Sequence, residues 1–353
     1  MPAGGAVLLR FDPQAAGGPL RVAFEAGRLA FQGYSEPGPL ELAATGDPPA
    51  PWIVRWDGAA GVQRHRGRLL LGARDGAIVL ACALTLEEYL PGVLGAEMSP
   101  ATAPLEALKA QAVAARTFAL FGIQSQEARR LEPLFAADSS FQAYGGIDKE
   151  HPRAVEAVRA TLGEVLVYKG RLFRAYFHST CGGGTASARD VFNDAAIPPL
   201  GGSPCADCAD SRHARWTSVW SEPELFAALR PWCERNSLHP GAILDLTVTE
   251  QDSSGRARYV RVRHAGGAFD MLAVRLRSLL GSRSESPVKS TAFSVSMREG
   301  QFVFEGRGWG HGVGLCQTGA ARRGEREGYR AILEHYFPES GIEGVYGPGK
   351  IAE

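Results

Sequence analysis

Residues 306–320, Gly-Arg-Gly-Trp-Gly-His-Gly-Val-Gly-Leu-Cys-Gln-Thr-Gly-Ala, restrict this chain more than any other stretch, because five glycines alternate with other residues over nine positions. Such a run reaches backbone conformations closed to residues with a Cβ. It suits a tight, ordered loop that brings main-chain groups close to a ligand. Flexible linkers are rich in Gly and Ser, without the Trp309, His311 and Val313 interleaved here. A phosphate-cradling loop is excluded by spacing, since neither G-x-G-x-x-G nor G-x-x-x-x-G-K-[ST] is present. Arg307, His311 and Gln317 sit in or just after the run as candidate functional side chains.

The 353 residues allow two or three domains, and 45% apolar with 22% charged residues reads as a soluble globular protein. Lys+Arg and Asp+Glu balance at 38 each, so no basic excess argues for nucleic acid. No apolar run approaches the ~20 residues needed to cross a bilayer. The start of the chain shows no basic n-region and no long h-region, so no secretory signal is visible and the compartment stays open on these grounds alone. Six cysteines are too sparse for a disulfide scaffold in a chain of this size.

Short β-like runs at residues 7–11, 20–24, 29–32 and 52–56 predict a small β-rich N-terminal module, continued by strands at 68–71 and 77–83. Thr85-Leu86-Glu87-Glu88 fits a capping box that opens a helix, and Pro91 is expected to kink or shorten it. The apolar stripe of that helix, Leu86, Leu90, Val93 and Leu94, extends by its period to Glu97. A second helix is expected over 105–121, begun by Pro104 and ended by Gly122. Lys109 and Arg116 share one of its faces, opposite a face of Ala and Leu. Residues 165–168 and 172–178 read as a hairpin turning at Lys169-Gly170. Residues 222–236 read as a helix, 243–250, 259–264, 292–297 and 301–305 as strands, and 315–327 and 329–336 as closing helices.

Glu97 is the first candidate for chemistry. An acid on an apolar helix face is desolvated, which favours its protonated form and suits it to donate a proton to a leaving oxygen; the alternative is a surface or salt-bridged Glu at a frayed helix end. Cys205-x-x-Cys208, with His213 beyond it and His178 and Cys181 upstream, fits a zinc-ligand set. A disulfide and unpaired thiols stay open beside that reading. Cys181 as a nucleophile, with His178 or His311 as base, is a weaker third idea.

Taken together, several motifs resemble the SpoIID/LytB family, the stage II sporulation protein D family. They are Leu86-Glu87-Glu88-Tyr89-Leu90-Pro91-Gly92-Val93, Glu97-Met98, Glu106-Ala107-Leu108-Lys109-Ala110-Gln111-Ala112-Val113-Ala114-Ala115-Arg116-Thr117, Gln142-Ala143-Tyr144-Gly145-Gly146, Thr161-Leu162-Gly163, Phe177-His178-Ser179-Thr180 and the glycine run. The resemblance covers roughly residues 63–340. It implies a peptidoglycan-active protein, a lytic transglycosylase cleaving the MurNAc–GlcNAc bond of strands stripped of stem peptide. It maps the family's catalytic Glu onto Glu97, cleft positions onto Lys109 and Arg116, and a histidine near which some members hold a metal onto His178. The chain departs from the family in three places: Cys316 stands where Ser is usual, the Glu97-to-Glu106 segment is one residue longer, and Cys205/Cys208 belong only to some branches.

The resulting expectation is an α+β chain. A β-rich module at 1–62 would precede a mixed α/β catalytic domain with a substrate cleft at 63–340, followed by a tail at 341–353. Glu97 is the expected acid/base, with Lys109, Arg116, His311 and Gln317 as substrate contacts or residues that shape the cleft. Cys181, Cys205 and Cys208, with His178 or His213, would hold a structural zinc, and no organic cofactor is expected. Partners are peptidoglycan strands and a cell-wall amidase, with neither nucleic acid nor a transmembrane segment. The resemblance implies a secreted, periplasmic or wall-associated location. The rival expectation is a non-catalytic wall-binding or amidase-enhancing protein on the same fold.

Overall fold

The computed structural model describes residues 7–11, 22–25, 28–31, 34–36, 40–44, 52–55, 62–74, 77–125, 142–281 and 285–346. Helices and sheets are mixed along the chain, an α+β architecture as expected. Two compact units form: Met1–Ala101 with Ile123–Leu162, and Thr102–Gly122 with Gly163–Glu353. The first unit thus includes residues 63–101 and Ile123–Leu162 along with the N-terminal strands.

In the first unit, strands Val7–Phe11, Leu40–Ala44, Arg68–Arg74 and Ala77–Ala83 form one sheet in that order, the first pair parallel and the rest antiparallel. Val22–Glu25, Arg28–Phe31 and Tyr34–Glu36 form an antiparallel meander. Alternation along these strands sends Leu29, Leu40, Leu42, Leu69 and Leu71 into a common apolar core. Tyr34–Glu36, Leu40–Ala44 and Gln63–His65 are strands beyond those the sequence predicted. Residues 20, 21, 32 and 56, at the ends of expected strands, lie outside the described residues.

Helix α1 (Leu86–Glu97) starts at the capping box: the Glu88 amide donates to Thr85 Oγ1, and the Thr85 amide donates to Glu88 Oε2. Against expectation it runs on through Pro91 to Glu97. Pro91 removes a single ladder bond near the first turns, and the burial of Leu90, Val93 and Leu94 holds the helix together. α1 packs on the 3-10 turn Ile147–Lys149 so closely that a Cβ at Gly95 would lie 1.7 Å from the Lys149 carbonyl oxygen. α3 (Pro152–Ala160) covers it from another side.

The second unit is organised around α2 (Leu105–Gln124), which continues past Gly122. Ala107, Ala110, Ala112, Ala114, Ala115 and Ala119 are all fully buried, so neighbouring backbones approach closely: at Gly324, a Cβ would sit 2.9 Å from the Ala107 nitrogen. Thr117 Oγ1 donates to the Val113 carbonyl and accepts the Leu166 amide at 2.8 Å, tying α2 to strand Glu164–Tyr168. That strand pairs with Arg171–Leu172 through the expected turn, where Lys169 and Gly170 both have positive φ (51° and 71°) as the tight hairpin turn requires. Its other edge pairs with Gly341–Gly344, so the segment read as a tail begins with a strand; residues 347–353 lie outside the described residues.

The expected long second hairpin strand is split. Phe177–His178 leaves the hairpin and pairs in parallel with Leu315–Cys316. For the same reason the helix expected from 315 begins at α7 (Gln317–Gly324 in chain order after α4, Ala188–Phe192, α5, Glu222–Arg235, and α6, Ala273–Leu280). α8 is Tyr329–Tyr336. Between these lie two antiparallel three-stranded sheets, Trp216–Ser221, Gln301–Gly306, Phe293–Arg298 and Ile243–Gln251, Ala257–His264, Gly267–Leu272. With α5 and α6 they enclose a core of Trp216, Trp220, Leu229, Val260, Leu276 and Phe304.

Candidate functional site

In the first unit, Glu97 is the last residue of α1 and is half-buried, less enclosed than an apolar face would make it. One carboxylate oxygen accepts the Ala143 amide at 2.9 Å. Beside it, the Tyr89 hydroxyl donates to Gln142 Oε1 (3.1 Å), and the Tyr89 and Tyr144 rings meet at 5.2 Å. Burial, then the charge of Glu97 and the neighbouring Tyr144, push the Tyr89 phenol up, so it stays a hydrogen-bond donor at any ordinary pH. The Gln142-Ala143-Tyr144 motif therefore serves as the seat of Glu97, a role its sequence did not announce.

The other predicted residues belong to the second unit. Lys109 makes an ion pair with Glu106 (2.6 Å), whose second oxygen accepts the Tyr329 amide at 2.8 Å, linking α2 to the start of α8. Burial alone would raise the Glu106 carboxyl; the hydrogen bonds from Lys109 and Tyr329 outweigh it and hold the group below its ordinary value. The Arg116 side chain is fully buried, and Nη1 donates to the Glu164 carbonyl at 3.0 Å. That bond ties α2 to the strand Glu164–Tyr168. Gln317 opens α7 and is buried as well.

His311 spends both ring nitrogens on its own scaffold. Nε2–H donates to the Phe177 carbonyl (2.9 Å) and Nδ1 accepts the Val313 amide (3.0 Å), so the ring braces the loop against strand Phe177–His178. Burial first, then Arg277, bring its pKa down to about 3, and the imidazole is neutral. His178 packs against it, ring centroids 5.4 Å apart, and its Nδ1 lies 3.0 Å from the Val313 carbonyl oxygen. The glycine run permits this packing. At Gly314 (φ 70°) a Cβ would fall 2.1 Å from the Tyr176 carbonyl oxygen, and at Gly312 (φ 84°) 2.4 Å from the buried Arg256 guanidinium.

Four buried cysteines, Cys181, Cys205, Cys208 and Cys316, place their sulfurs within 4.8 Å of one another. Cys316 stands fourth in this cluster, where the sequence offered His178 or His213. Parallel pairing of His178 with Cys316 brings that sulfur to Cys181, whose amide donates to it at 3.3 Å. His213 instead lies edge-on to Trp309. The one sequence signal for Cys316 was its standing where relatives usually carry Ser. All four are free thiols, so the disulfide alternative at Cys205 and Cys208 is not what the structure contains. Hydrogen bonding to Cys181, then Cys205 and Cys316, pulls the Cys208 thiol far down, while burial and the same neighbours push Cys316 well up. A regular tetrahedron with metal–sulfur bonds of ~2.3 Å spaces its sulfurs about 3.8 Å apart, a shell this cluster can close around a metal ion. The Gly319 amide also donates to Cys316 Sγ (3.3 Å), and Arg256 Nη2 donates to the Cys181 carbonyl (2.7 Å), placing N–H groups and a cation against the sulfur-rich centre.

Known proteins match this layout in two blocks. The SpoIID family, described as stage II sporulation protein, matches residues 74–168, and a domain of unknown function, DUF8618, matches 204–314. An uncharacterized protein of Brachyspira hyodysenteriae is 34% identical over 274 residues, covering 77% of this chain and 70% of that one. Stage II sporulation protein D of Bacillus amyloliquefaciens is 28% identical, covering 72% and 73%. The amidase enhancer of Bacillus subtilis is 27% identical; the match covers 70% of this chain and only 39% of that longer protein.

Proposed function

This chain belongs to the SpoIID family, and from that premise we propose that it is a peptidoglycan lytic transglycosylase acting on denuded glycan outside the cytoplasmic membrane. The observation that carries the reading is a single carboxylate held in place: Glu97, at the end of a capped helix, with one oxygen fixed by the Ala143 amide. On this reading Glu97 acts as a carboxylic acid that carries a proton into the site. Glu97 donates that proton to the glycosidic oxygen as the bond to the muramoyl C1 breaks, and the leaving GlcNAc departs as an alcohol. The muramoyl 6-hydroxyl then attacks C1, and its proton returns to the Glu97 carboxylate. Atoms balance without water, so no second carboxylate is needed to activate one, unlike in hydrolytic glycosidases.

The four-cysteine cluster fits zinc, since four protein sulfurs suit a tetrahedral thiophilic ion and close its shell. Zinc there would crosslink the segments bearing Cys181, Cys205/Cys208 and Cys316. Among the described residues no helix is long and apolar enough to cross a membrane.

A second reading has its own support in the amidase enhancer relative: a wall-binding protein that modifies a cell-wall amidase without cutting glycan. Incubation with denuded strands separates the two. Anhydro-ended products by mass spectrometry, lost in Glu97→Ala, support the enzyme; undiminished binding without product in either protein supports the enhancer.

A further inference from the structure

The glycine loop holds an exposed indole on a fully pinned backbone. Trp309 exchanges both main-chain bonds with Thr180 (2.7 and 3.0 Å), the Gly308 amide donates to the His213 carbonyl, and the Gly310 amide donates to the Lys289 carbonyl. The side chain is nevertheless 37% exposed. A large apolar ring held out from so rigid a base is pre-organised for contact, because little freedom remains to be lost on binding.

Its surroundings define the ligand chemistry. Lys289 Nζ stands over the indole at 5.5 Å from its centroid, and His213 meets it edge-on at 4.3 Å. Lys289 Nζ and His213 Nδ1 are 3.5 Å apart. Arg212 Nε donates to His213 Nε2 at 3.1 Å, so the imidazole sits between two cations. Among the described residues, neither Arg212 nor Lys289 pairs with a carboxylate. Pyranose rings present an apolar C–H face that stacks on an indole, and two cations on the same His213 side chain, without a carboxylate partner among the described residues, call for an anion.

We propose that Trp309, Lys289 and Arg212 form a subsite for a sugar bearing a carboxylate, the lactyl-substituted muramoyl unit. The proposal rests on the reading of the chain as a glycan-binding member of its family and names which sugar of the strand is recognised. The uncharged GlcNAc unit satisfies the indole but not the cations.

The test compares binding of the full chain, by titration calorimetry, to denuded glycan strands and to chitooligosaccharides of equal length, which lack the lactyl carboxylate. Wild type binds the muramoyl strands at least about tenfold more tightly. Trp309→Ala weakens both ligands by about tenfold or more, a loss of ~1.4 kcal/mol, and Trp309→Phe recovers part of it. Lys289→Met abolishes the preference while leaving chitooligosaccharide binding in place. Equal wild-type affinity for the two ligands overturns the proposal, as does wild-type binding by a folded Trp309→Phe and Lys289→Met pair. Intact binding in Trp309→Ala with product lost in Glu97→Ala defeats the subsite and spares the enzyme. Binding lost in Trp309→Ala, in a chain that forms no anhydro product, does the reverse.

Discussion

Gly314 has no room for a methyl group. Its φ of 70° and the 2.1 Å approach of a virtual Cβ to the Tyr176 carbonyl oxygen combine backbone strain with a clash against main chain, which cannot swing aside. Gly314→Ala is expected to cost roughly 1–3 kcal/mol, read as a lowered urea midpoint at unchanged slope; an unchanged midpoint contradicts the packing described. His311 supplies a pH signature. Folded, its imidazole stays neutral down to about pH 3; unfolded, it takes a proton near its ordinary 6.5. The unfolded chain therefore binds more protons in that window. The His311 contribution is complete above pH 6.5 and drains away as pH falls toward 3, at up to about 1.4 kcal/mol per unit. Urea midpoints at pH 7 and pH 5 are expected to diverge more in wild type than in His311→Gln, and equal divergence would refute the buried, neutral assignment.

At the scale of elements, local signals were legible where the element makes itself. The Thr85/Glu88 capping box stands where the sequence put it, and Thr85→Ala is expected to lower stability by about 1 kcal/mol, seen as a denaturant-midpoint shift that Thr85→Ser largely avoids. Equal loss in both variants would remove the cap from the account. The turn at Lys169-Gly170 and helix α8 were equally readable. Elements fixed by distant partners were not. Phe177–His178 and Leu315–Cys316 become strands only through each other, 138 positions apart at His178 and Cys316. Each alone reads as an extension of its neighbour, a hairpin strand or a helix. Pro91 misled for a related reason: its local penalty was visible, whereas the burial that outweighs it was not.

For the whole molecule, the family and the α+β class were legible because several motifs recur in fixed order, yet the roles of single residues depended on packing. Lys109, Arg116, His311 and Gln317 looked like cleft residues, and the structure engages the first three in scaffold bonds. Cys316 looked like a departure from its family, and it completes a four-sulfur cluster instead. The purified chain is therefore expected to carry about one zinc, by elemental analysis, to lose it in Cys316→Ser and to keep it in His213→Ala; the opposite pattern would restore the histidine ligand. The central claim, that Glu97 directs attack by the sugar's own hydroxyl, is tested most directly by digesting denuded glycan in ¹⁸O-labelled water. Anhydro ends free of solvent oxygen, and absent with Glu97→Gln, are predicted. Reducing ends carrying ¹⁸O would show that water is the nucleophile and contradict it.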